Sequence, residues 1–279
     1  MPISAAAPRG AAQNDGVPLT LSSDDDAALV ARLRAAGCVW AEDEAAVLRE
    51  SATSVADLDD LVARRVAGEP LELVVGWAEL CGLRVAVTPG VFVPRRRSEL
   101  LALAAVAAAR PGDVVVDLCC GSGALGAVVA ARVPGVEVWA VDVEPAAVAC
   151  ARQNLVGVGG HALLGDLDAP LPERLAGRVA VIVCNAPYVP TGDVPFLPAE
   201  ARLFEPLVTL DGGADGLDVQ RRAAAVAPRW LAPGGTLLIE TSDRQAAATV
   251  AAFEDAGLRG VRVLADDELE ATVVVGVRG

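Results

Sequence analysis

The sequence predicts an α/β fold: a seven-stranded, mostly parallel sheet with an antiparallel last strand, preceded by a small helical N-terminal domain. Three observations carry this reading. From Val114 onward, short runs of Val, Ile and Leu alternate with helical stretches over short connections, a pattern that gives parallel strands covered on both faces. The last two runs, Val261–Leu264 and Ala271–Val277, have no helix between them, so they pair antiparallel. Before residue 70 there are helix starts and apolar periodicity but no strand run.

Taken in order, residues 1–21 are rich in Ala, Pro, Gly and Asn without periodicity and are expected to be disordered. Residues 22–70 form the helical domain. Ser22 and Ser23 offer caps with Asp24 and Asp25 behind them, and Ala27–Ala36, Glu42–Ser51 and Val55–Val66 read as helices. Residues 71–97 read as a linker with short strands at Leu71–Val75 and Leu83–Val87, and Pro89-Gly90 as a turn. Residues 98–279 form the main domain. Its first helix is Ser98–Arg110, with Leu100, Leu101 and Leu103 on the apolar side. Strands follow at Val114–Val116, Glu137–Val141, His161–Leu164, Val179–Cys184 and Thr236–Glu240, and helices at Ala124–Arg132, Pro145–Asn154, Val219–Ala227 and Gln245–Ala256.

Composition bounds the function. Apolar residues make up 53% and charged residues 22%, enough for a large core, and with 3% aromatics that core is built of Ala, Val and Leu. The net charge of −14 opposes binding to naked nucleic acid, which draws its affinity from basic patches. A protein or small-molecule substrate is expected instead, and no nucleic-acid partner. Six cysteines without zinc-ligand spacing and a single histidine, His161, on a strand and read as core, predict reduced thiols and no metal site. No run of about 18 apolar residues and no signal-peptide pattern is present, so a cytoplasmic protein without a membrane partner is expected.

Two motifs carry chemistry. Asp117-Leu118-Cys119-Cys120-Gly121-Ser122-Gly123 follows the first parallel strand. Glycines there let a ligand approach the main chain, and ligands of open α/β sheets bind beyond the strands' carboxyl ends. Asp142 ends the next strand, where an acidic side chain accepts from ribose hydroxyls. Gly165-Asp166-Leu167 ends the third strand, where Asp166 can accept from an adenine amino group. Because Gly126 completes G-x-G-x-x-G, this pattern suits NAD as well as S-adenosylmethionine.

The second motif, Asn185-Ala186-Pro187-Tyr188, follows the buried run Val179–Cys184. An amide or exocyclic amine nitrogen is a poor nucleophile because its lone pair is delocalised. Two acceptors on its N–H groups orient it and favour the positive charge that develops on nitrogen. The Asn185 side-chain oxygen and the Ala186 carbonyl can be those acceptors. Pro187 stiffens the turn, and Tyr188 offers a flat wall for stacking. A cofactor turn beside a nitrogen clamp points to methyl transfer onto nitrogen, an in-line displacement dominated by alignment.

With these motifs in place, the chain resembles the class I S-adenosylmethionine-dependent methyltransferases, which are Rossmann-like. Within them it is similar to the HemK/PrmC group, which methylates the side-chain amide nitrogen of glutamine in peptide-chain release factors. The resemblance runs from about Arg64 onward. It rests on Gly68-Glu69-Pro70-Leu71, Gly76-Trp77-Ala78-Glu79, Val91-Phe92-Val93-Pro94-Arg95, Glu205-Pro206 and Asp211-Gly212-Gly213-Ala214-Asp215-Gly216-Leu217 together with the clamp. It implies S-adenosylmethionine as cofactor, contacted by Asp117, Cys119, Cys120, Gly121, Ser122, Gly123, Asp142, Asp166, Leu167 and Asn185. It also implies Asn185, Ala186, Pro187 and Tyr188 as the catalytic clamp, and a protein substrate, with a release factor as the candidate, docked partly by the helical domain. The chain departs from the group's pattern in three places. Ala186 replaces the first proline of Asn-Pro-Pro-Tyr, and Cys119 replaces the usual first loop glycine. Arg96-Arg97-Ser98-Glu99 replaces Pro-Glu-Thr-Glu, which turns an acidic loop basic and resembles a PrmC-related subgroup of unsettled substrate. Three alternatives remain at the level of sequence: an N-methyltransferase acting on a nucleic-acid amino group, a non-catalytic cofactor-binding relative, and a nicotinamide oxidoreductase.

Overall fold

The computed structural model describes residues 19–279; the expected disorder of residues 1–18 lies outside the described residues. The N-terminal unit contains α1 (Ser23–Ala35), α2 (Ala41–Ser51), α3 (Val55–Val66) and α4 (Leu71–Val75). Ser22 and Ser54 cap α1 and α3, each accepting from the backbone N–H three residues on. Leu29, Leu33, Leu48, Leu58 and Val62 fill the core between these helices.

Two expectations at the edges of this unit are corrected. Leu71–Val75 is a helix and not a strand: Val74 joins the helical core, and Gly76 at φ 80° closes the turn by donating to the Glu72 carbonyl. The β-branched Val74-Val75 pair suits a strand locally, and burial against α2 and α3 overrides it. Leu19 and Leu21, placed in the disordered segment, pack against the same core.

A two-stranded hairpin, β1 (Trp77–Leu80) and β2 (Leu83–Ala86), joins this unit to the main domain. The main domain runs α5 (Glu99–Ala108), β3 (Val114–Leu118), α6 (Ala124–Arg132), β4 (Glu137–Asp142), α7 (Pro145–Leu155), β5 (His161–Leu164) and β6 (Val179–Cys184). It continues with α8 (Ala199–Phe204), α9 (Asp218–Trp230), β7 (Leu231–Thr241), α10 (Ala246–Asp255), β8 (Arg259–Asp266) and β9 (Ala271–Val277). The seven strands lie in the order β5-β4-β3-β6-β7-β9-β8. β3 to β7 are mutually parallel, and β9 is antiparallel to both neighbours, as the missing helix between the last runs requires.

Alternation along the strands divides the core in two. Val115, Val138, Val181, Val183 and Val275 face α5, α6 and α7. Val116, Val141, Ile182, Ile239 and Val274 face α9 and α10. On α5 the buried face is Leu101, Ala102 and Ala105, whereas Leu103, expected on the apolar side, is 40% exposed. His161 is also not a core residue. It is exposed and stacks on Trp139 with ring centroids 4.0 Å apart. Among the described residues no helix is long and apolar enough to cross a membrane.

Candidate active site

The sheet order places both chemical motifs side by side. From β3 the chain passes to β4 and β5 on one side, and β6 and β7 lie on the other, so the reversal falls between β3 and β6. Leu118 pairs with Cys184 there. The turns that follow these two residues therefore diverge from one point, the crevice where open α/β sheets bind ligands. A cavity of about 460 Å³ opens at that point. Cys119, Cys120, Gly121, Ser122, Asp142, Asp166, Leu167 and Asn185 to Tyr188 all line it.

In the glycine turn, Cys119, Gly121 and Gly123 have φ of 54°, 52° and 73°. At Cys119 a side chain occupies a left-handed position that favours glycine, at a cost of about 1–2 kcal/mol. Gly123 begins α6, and a Cβ there would meet the Ala151 Cβ at 3.0 Å. The turn is held by its neighbours: Cys120 N–H donates to the Val141 carbonyl at 3.1 Å and Gly121 N–H donates to Asp142 Oδ2 at 2.8 Å. Asp142 Oδ1 accepts from Glu144 N–H at 2.9 Å. Burial pushes the Asp142 carboxyl above its ordinary pKa, and the backbone donors partly offset this. Each of its oxygens keeps a second lone pair for a ligand on the cavity side.

Asp117 and Gly123 are placed differently from the other predicted residues: both are buried and absent from the cavity wall, Gly123 because it packs on Ala151. Asp117 lies beneath the turn. Its Oδ2 accepts from Gly126 N–H at 3.0 Å, and its Oδ1 has no hydrogen-bond partner. Burial pushes its carboxyl up to about 8, against the Gly126 bond. Gly126 has a packing reason of its own, because a Cβ there would lie 2.8 Å from Val138 Cγ1. It lets α6 approach the sheet. Asp166 lines the cavity while pairing with Arg222 at 2.6 Å, and Leu167 adopts φ 48° with its side chain buried.

At the clamp, Asn185 Nδ2 donates to Ser98 Oγ at 3.1 Å, which leaves its side-chain oxygen for the cavity. The Tyr188 hydroxyl donates to Glu240 Oε1 at 3.4 Å. Burial, followed by the negative charge of Glu240, pushes the Tyr188 phenol up to about 12. Behind the clamp, Val189 N–H donates to Leu210 O at 3.0 Å and Gly212 N–H to Val189 O at 2.9 Å, and Gln245 Nε2 donates to Tyr188 O at 2.9 Å. At Gly216, φ is 78° and a Cβ would sit 2.3 Å from the Tyr188 carbonyl oxygen. The Asp211–Leu217 glycines thus allow a second chain segment to lie against the clamp backbone. At the mouth, buried Glu205 accepts from Arg95 at 2.5 Å and from Val93 N–H at 3.3 Å, and Arg97 also lines the cavity. Ser98, Glu240 and Gln245 carry no role in the sequence reading. The one signal for Glu240 is a charged residue at the carboxyl end of the apolar run Leu237-Leu238-Ile239.

The fold and the paired turns define a methyltransferase domain, and the comparisons agree. The model of the methyltransferase small domain family matches residues 82–201. A release factor glutamine methyltransferase from Geobacter sulfurreducens is 39% identical over 71% of this chain and 69% of its own length. A 4-amino-L-phenylalanine/4-methylamino-L-phenylalanine methyltransferase from Streptomyces pristinaespiralis is 37% identical over 70% of this chain and 69% of its own length. A solved methyltransferase structure from Pyrococcus furiosus shares the fold at TM-score 0.52 and 19% identity, covering 72% of this chain and 91% of that one. The chain belongs to the release factor glutamine methyltransferase family.

Proposed function

We propose that this chain transfers a methyl group from S-adenosylmethionine to the side-chain amide nitrogen of a glutamine in a protein, with a peptide-chain release factor as the substrate. The observation that carries the reading is the pair of turns after β3 and β6 in one cavity, with the Asn185 amide held from behind by Ser98 so that its oxygen is left for a substrate. The residues present fit the cofactor. The left-handed turn at Cys119 and Gly121 presents backbone and no bulky side chain at the cavity wall, and Asp142 has acceptor capacity at the wall for ribose hydroxyls. Leu167 offers an apolar surface, and Asp166 an acceptor, for the adenine. Asp117 acts from beneath by holding the turn to α6.

When bound, S-adenosylmethionine supplies a methyl group on a sulfonium, a strong electrophile. The protein's part is alignment and charge. Asn185 Oδ1 and the Ala186 carbonyl accept the two N–H groups of the acceptor amide. They orient its nitrogen and favour the positive charge that develops there. Tyr188, with its phenol held neutral, stacks on the planar amide. The half-buried, largely apolar wall limits water around the reacting nitrogen.

A second reading is favoured by the relative that acts on an aromatic amino acid. A small primary amine would use the same two acceptors, and Arg97 at the cavity wall would take its free carboxylate. Acceptor competition separates the two. Labelled methyl should pass to a release factor carrying Gly-Gly-Gln and not to free 4-amino-L-phenylalanine, and the opposite preference would move the assignment to the small amine.

A further inference from the structure

Four carboxylates line the cavity: Asp142, Asp166, Glu200 and Glu205. Asp142 is held by the backbone N–H groups of Gly121 and Glu144. Asp166 pairs with Arg222 and Glu200 with Arg65, each at 2.6 Å. Glu205 differs from these three. Its side chain is only 1% exposed, and both of its donors reach the same oxygen: Oε1 accepts from Arg95 Nη2 at 2.5 Å and from Val93 N–H at 3.3 Å. Its Oε2 is buried and has no hydrogen-bond partner.

A carboxylate has about four lone-pair positions. Leaving one of its oxygens buried without a donor costs free energy, and a ligand that brings a donor recovers it. Burial pushes the Glu205 carboxyl above its ordinary pKa, and the Arg95 guanidinium pulls it back. A second cation at Oε2 would favour the ionised form further. The terminal torsion of a glutamate is soft, so the carboxyl group can turn this oxygen toward a cation at the wall.

Position narrows the choice of cation. The segment that carries Val93 and Arg95 packs beside the cofactor turn: a Cβ at Gly121 would lie 3.8 Å from Phe92 Cβ, and the Arg95 guanidinium sits over the Phe92 ring at 5.2 Å. Asp142, at the end of β4, and Asp166, just past β5, serve the adenosine in the reading above. The amino-acid end of S-adenosylmethionine is left for the wall that Phe92 and Glu205 form. That end carries an α-ammonium group, a cation with three N–H donors. A glutamine side chain within a protein carries none.

We propose that Glu205 is a binding residue for an ammonium group, that of the methionine half of S-adenosylmethionine, which it takes through its free oxygen. The inference rests on the reading of this cavity as the cofactor site. A free amino acid used as methyl acceptor carries the same group, and the test separates the two sources.

The probes are S-adenosylhomocysteine and its deamino analogue, in which hydrogen replaces the α-amino group. Each is titrated calorimetrically into the full chain. Wild type should prefer S-adenosylhomocysteine by about ten-fold or more, the effect of one charge-assisted hydrogen bond. Glu205→Gln should weaken S-adenosylhomocysteine by a similar factor and change the deamino analogue by less than about two-fold, so that the preference disappears. Glu205→Asp keeps the charge but withdraws it by one methylene. It should lower the preference as well, and it carries the test where Glu205→Gln does not fold. Equal binding of the two probes by wild type, or the full preference retained in either variant, overturns the proposal. If the variants keep that preference and lose methyl transfer to free 4-amino-L-phenylalanine, the carboxylate serves the acceptor's ammonium and the cofactor assignment of Glu205 falls. If wild type binds neither probe, the cofactor reading of the cavity fails, and the inference with it.

Discussion

In the proposed clamp, Asn185 supplies its side-chain oxygen and Ala186 its carbonyl just past the end of β6. Removing one aimed hydrogen-bonding group of this kind costs about 10²–10³ in kcat. Asn185→Ala should therefore lower kcat by about 10²-fold while S-adenosylhomocysteine still binds, and calorimetry beside steady-state kinetics checks both. Unchanged turnover would remove the clamp. Gly123→Ala forces a Cβ into φ 73° and to 3.0 Å from Ala151. It should cost about 1–3 kcal/mol in chemical denaturation and weaken cofactor binding. At this scale the tetrapeptide and the glycine turn were legible because each is contiguous and directly follows an apolar strand. Ser98 and Glu240 were not, because they reach Asn185 and Tyr188 across 87 and 52 residues of sequence, and no local pattern marks such contacts. Asp117 was read as a cofactor contact from position alone, whereas its carboxylate is buried away from the cavity wall.

Among the elements, those with strong periodicity or clear punctuation were legible with close boundaries. β5, β6, β9, α3 and α6 begin and end where the residues predict. Leu71–Val75 was misread because a five-residue apolar run fits a strand or a helix, and its partners in the helical core decide. The long connection after β6 hides α8, too short for a periodic signal. The Asp211–Leu217 segment behind the clamp makes a prediction at this scale. Gly216→Ala drives a Cβ to within 2.3 Å of the Tyr188 carbonyl, so it should lower both thermal stability and kcat, with the loss in kcat exceeding that for an equally destabilising core variant such as Leu33→Ala. Equal losses would mean that this segment does not set the clamp.

For the whole molecule, charge and composition pointed away from nucleic acid, and the sheet order brought the two motifs together. Arg65 bridges the helical unit and the main domain, pairing with Glu44 of α2 and Glu200 of α8 at 2.6 Å each. Arg65→Ala leaves Glu44 without this partner and should cost about 2–3 kcal/mol in denaturant unfolding. Stability should also depend on pH through Asp117. Its folded carboxyl, at about 8, lies above its unfolded value. Its contribution is therefore complete below the unfolded pKa, near 4, and is lost as pH rises through about 8. Asp117→Asn, which imitates the protonated group, should unfold later than wild type at pH 8 and lose that advantage as pH falls toward 4. The central claim is that one cavity aligns an activated methyl with a glutamine amide. Tandem mass spectrometry of a release factor after reaction with wild type and with Asn185→Ala tests it most directly. The account predicts a single methyl on the side-chain nitrogen of the Gly-Gly-Gln glutamine with wild type, and a strong reduction with the variant. No methyl on that glutamine, or equal modification by both proteins, would contradict it.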